Sequence, residues 1–136
     1  MARPPLVITA FNNRVFGLDR DTGAIRWRVE TGDMLTNPIE LAIDDTTVIA
    51  CTAFHLVFID YLTGQVRQKV ERTDKAKGAR PLMVLSDGHF YIAGSGVLTC
   101  YSAAGNHLWN QAFKGEGYGE VSFGVPHLVR QADEKG

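Results

Sequence analysis

The chain has 136 residues, 45% of them hydrophobic, with 14 basic against 15 acidic residues. That is an ordinary composition for about one soluble globular domain. The formal net charge of −1 gives no global attraction to nucleic acid or an anionic membrane, so neither is expected as a partner.

The opening, MARPPLVITAFNN, carries an apolar run of about six residues that meets Asn12, Asn13 and Arg14. A secretory h-region needs roughly seven to fifteen residues and a membrane helix ~20. The expected setting is therefore the cytoplasm. Cys51 and Cys100 stand far apart in apolar surroundings, as buried thiols do.

In chain order, LVITAF (6–11), RVFGLD (14–19) and AIRWRVE (24–30) read as three strands. In IRWRVE, Ile25, Trp27 and Val29 alternate with Arg26, Arg28 and Glu30, which predicts a strand with one wet face. DRDTG joins the second and third strands. Gly23 can take the positive φ that such a hairpin needs, and Asp19 or Asp21 can hold the turn by accepting backbone N–H groups. PIELAID (38–44), TVIACT (47–52), LVFID (56–60) and QVRQKVE (65–71) follow, then PLMVLS (81–86), FYIAGS (90–95), VLTCY (97–101) and NHLWNQAF (106–113). Asp87-Gly88 is a strong hairpin signal. EVSFGVPHLV (120–129) is read as one last strand, and 130–136 as a polar tail. No window shows a helical period.

These strands repeat. Gly23, Gly64 and Gly105 lie 41 residues apart, and at the same spacing stand Asp19, Asp60 and Tyr101, then Leu18, Ile59 and Cys100, then Trp27, Gln68 and Trp109. A period near 40 suits four-stranded propeller blades. Each unit has strands a, b, c and d. Residues 6–30 form b to d of the first blade, 38–71 the second and 81–113 the third, with 120–129 a strand a that could complete a first blade. Trp27 and Trp109 are read as core.

The series Gly17-Leu18-Asp19, Thr22-Gly23, Trp27, with its echoes at Asp60, Thr63-Gly64 and at Gly105, Trp109, resembles the quinoprotein-type or PQQ-like β-propeller repeat. The resemblance implies an all-β propeller of four-stranded antiparallel blades, about three per chain. Dehydrogenases of that family carry many more blades, a calcium ion and a pyrroloquinoline quinone. This chain has about three units and no adjacent cysteine pair, so no cofactor is assigned.

Propellers have about four to eight blades. Three would bare an apolar flank at each end, and the expectation is a six-bladed homodimer in which C-terminal strands are exchanged.

In propellers the b–c and d–a loops share a face, and binding residues concentrate on such loops. The candidates here are Asn12, Asn13, Arg14, Met34, Asn37, Phe54, His55, Lys75, Lys77, Arg80 and Tyr118. KGEGYGE lacks the spacing of either phosphate-binding signature. The histidines, His55, His89, His107 and His127, do not stand at zinc-ligand spacing, and no nucleophile turn accompanies them. The expected function is a non-catalytic binding module that scaffolds an unknown protein partner through its loops. A small-ligand or carbohydrate binder, with Phe54 and Tyr118 as stacking residues, is the alternative, and an enzyme ranks last.

Overall fold

The computed structural model describes residues 5–32, 39–74, 77, 81–126 and 128–130. They are all-β, with no helix among them. The chain forms two compact units, Met1–Glu71 and Arg72–Gly136.

The first unit holds two antiparallel sheets. One has three strands in the order β1 (Leu6–Phe11), β2 (Arg14–Asp19), β3 (Ile25–Glu30). The other has four in the order β4 (Glu40–Ile43), β5 (Thr47–Cys51), β6 (His55–Asp60), β7 (Val66–Glu71). Each strand pairs with its sequence neighbour, the meander of a propeller blade.

The Asp–Thr–Gly turns hold the outer hairpins. Asp19 Oδ1 accepts the N–H groups of Asp21 and Thr22, both at 2.9 Å, and Gly23 turns the chain at φ +77°. In the second sheet Asp60 Oδ2 accepts both the N–H and the hydroxyl of Thr63 at 2.9 Å, and Gly64 sits at φ +76°. Asp19, rather than Asp21, is therefore the residue that holds its turn. Arg26 pairs with Asp19 at 2.7 Å, and Arg67 pairs with Asp60.

Trp27 explains why glycine recurs. Its partner across the ladder is Gly17, and a Cβ there would overlap the indole ring. A Cβ on Gly64, in the turn of the next sheet, would stand 2.5 Å from Trp27 Cγ. The ring is thus held between two glycines, and its Nε1–H donates to Tyr61 O at 2.9 Å. The Tyr61 hydroxyl both donates to Leu6 O and accepts from Leu6 N–H, each at 2.8 Å, which ties the two sheets a second time at the same turn end. Val15, Trp27 and Val29 meet Val48, Ala50, Val57 and Ile59 in one apolar layer, with Leu6, Ile8, Ile39 and Leu41 at its margin.

The second unit holds a four-stranded sheet in the order β11 (His107–Gln111), β10 (Val97–Ser102), β9 (His89–Gly94), β8 (Leu82–Ser86). A separate hairpin of β12 (Phe123–Val125) and β13 (Leu128–Arg130) touches it through Arg130 Nε, which donates to Met83 O at 3.0 Å.

Four sequence expectations need correction. Ile25 does not share the face of Trp27. The ladder shifts between Gly17 and Leu18, so Arg26 is an extra residue and Ile25 falls opposite Leu18, 62% exposed. In the third sheet the turn is one residue shorter. Ser102, not Tyr101, stands where Asp19 and Asp60 stand: its N–H donates to Asn106 O at 2.8 Å, as that of Asp60 does to Gln65 O. Tyr101 accordingly takes the core place of Leu18 and Ile59, 2% exposed, and Cys100 is the partner of Trp109. Trp109 itself is 42% exposed rather than core. Lastly, 120–129 is not one strand. Pro126 has no N–H to donate, and the chain folds back there into the β12–β13 hairpin.

Candidate protein-binding loop edges

In the first unit the β1–β2 turn carries Asn12 and Asn13, both in the left-handed region at φ +53° and +62°. A two-residue turn of that hand suits the twist of a hairpin, and asparagine tolerates it better than most residues. Asn13 O accepts both the N–H and the hydroxyl of Thr31, at 3.1 and 2.9 Å. Lys69 Nζ donates to Thr31 O at 2.8 Å. The b–c turn and the residue after strand d are thus laced together; Asn12 is exposed and Asn13 half-buried. Arg14 is drawn inward along the sheet: Nε reaches Glu30 at 3.3 Å and a terminal nitrogen reaches Asn12 O at 3.0 Å. The Glu30 carboxyl is held below the ordinary carboxylate range, first by its hydrogen bond from Arg28 and then by the charges of Arg28 and Arg14.

The β5–β6 turn carries Phe54 and His55. Thr52 closes it, with Thr52 N–H donating to His55 O and His55 N–H donating to Thr52 Oγ1, both at 2.9 Å. Phe54 at the tip is 42% exposed. Sequence reasoning did not single out Phe11. It precedes the asparagine turn, shares a strand face with Val7, and is 70% exposed.

In the second unit Arg72 and Asp74 form a buried two-pronged pair, at 2.9 and 2.8 Å. Asp74 O accepts the N–H of Lys77, whose side chain is exposed. The β9–β10 turn at Ser95-Gly96 and the stretch 112–121 line a cleft of about 790 Å³, with Phe113, Lys114, Glu116 and Tyr118 on its rim. Tyr118 is fully exposed. Met34, Asn37, Lys75 and Arg80 lie outside the described residues.

Among the described residues no three His, Cys, Asp or Glu side chains come together to hold a cation.

Four-stranded antiparallel meanders joined by Asp–Thr–Gly turns, with a tryptophan docked on the next sheet's glycine, define a PQQ-like β-propeller protein. More narrowly, the chain belongs to the family described as outer membrane protein assembly factor BamB, whose model matches residues 2–82. No curated protein matches the chain in sequence. Among solved structures it is similar to BamB from Moraxella catarrhalis, at 20% identity and a TM-score of 0.58, over 79% of this chain and 33% of that one. It is also similar to a europium-containing methanol dehydrogenase, at 20% identity and a TM-score of 0.56, over 77% and 22%. A quinohemoprotein alcohol dehydrogenase, ADHIIG from Pseudomonas putida HK5, matches at 21% identity and a TM-score of 0.59, over 94% and 21%. The chain thus spans a third or less of the length of each of these structures. At such identities the likeness speaks for the fold alone.

Proposed function

We propose that the chain is a non-catalytic binding module, a scaffold that holds a partner protein on the loop edges of its sheets. One observation carries this reading: the asparagine turn and the Phe54 tip are fixed by hydrogen bonds to the backbone, yet Asn12 and Phe54 are exposed. A rigid frame with exposed aromatic and amide groups is a protein-binding surface in the ordinary sense. The family name, an assembly factor, agrees with that role. The test is affinity capture on the immobilised chain. A single stoichiometric protein is expected, lost in a Phe54→Ala, Lys75→Ala, Lys77→Ala variant whose melting temperature is unchanged. Undiminished capture by that variant would remove the loops from the account.

Two copies of the chain paired into six blades are part of the same proposal. Among the described residues the first sheet has three strands, against four in each of the other two blade sheets. The segment 120–129 of a second copy would add the missing strand, opening the β12–β13 hairpin as it did so. A cytoplasmic setting also belongs to the proposal. Recovery of the chain with the cell envelope on fractionation would overturn that part.

The cleft beside Tyr118 favours a second reading, a small-ligand or carbohydrate site. A sugar that raises the melting temperature in the wild type, and does not after Tyr118→Ala, would favour it.

A further inference from the structure

We draw no further inference here: the strongest candidate, the cleft between the β9–β10 turn at Ser95-Gly96 and the stretch 112–121, belongs to the small-ligand site already described, and Thr99 Oγ1, the buried side-chain oxygen left without a partner among the described residues, does not line it to say what it would hold.

Discussion

Trp27 shows how much a single residue settles. It needs no side chain at Gly17, none at Gly64, and a carbonyl from Tyr61. Trp27→Phe keeps most of the ring and loses the indole donor, and is expected to cost about 1 kcal/mol in chemical denaturation. Trp27→Ala also opens a cavity, and about 3–5 kcal/mol is expected. Gly64→Ala combines strain at positive φ with overlap of the ring, so it should cost more than Gly88→Ala, where the added Cβ meets nothing. The Asp19 and Asp60 carboxyls add a pH signature. Both are held below the ordinary carboxylate range, Asp19 first by the Arg26 guanidinium and Asp60 first by the Thr63 N–H. A depressed folded value means that the folded state binds protons less readily than the unfolded chain. The stabilisation is therefore complete above about pH 4 and is lost as pH falls through the folded values. The melting temperature should drop on acidification from about pH 5 to pH 2, and less steeply in an Asp19→Asn, Asp60→Asn variant.

At the scale of the element, the three outer hairpins are one device with a shortened third copy. In the third, Ser102 Oγ accepts the Asn106 N–H at 3.1 Å, a weaker hold than a carboxylate taking two donors. Ser102→Ala is expected to lower stability by about 0.5–1 kcal/mol, measured by urea denaturation. This hairpin also marks how far the sequence could be read. The Thr-Gly turns and the period were legible, because a glycine at positive φ and an aspartate that caps a turn leave local signatures. The placing of strand c in the third unit was not. Counting back 41 residues from Gly105 reaches Gly64, but the missing turn residue moves everything before it by one place. Ile25 was misplaced for a related reason: a bulge breaks the two-residue alternation without changing composition. The exposure of Trp109 was illegible in kind, since burial of an outer-strand side chain depends on what packs over it.

For the molecule as a whole, the candidate site was legible as loops but not as geometry. Asn12, Asn13 and Phe54 emerge at turn tips, whereas Arg14 is engaged with Glu30 and Asn12, and Phe11 escaped notice. The same scale holds the central proposal, that two copies of the chain pair. The apolar residues left open, Val7, Trp109 and Val129 among them, are of the kind that drives association. Multi-angle light scattering on the unmodified chain, over a rising concentration series, tests this most directly. The account predicts a mass twice the 15.0 kDa of one chain. A constant 15.0 kDa at every concentration, from a chain that melts cooperatively, would contradict it.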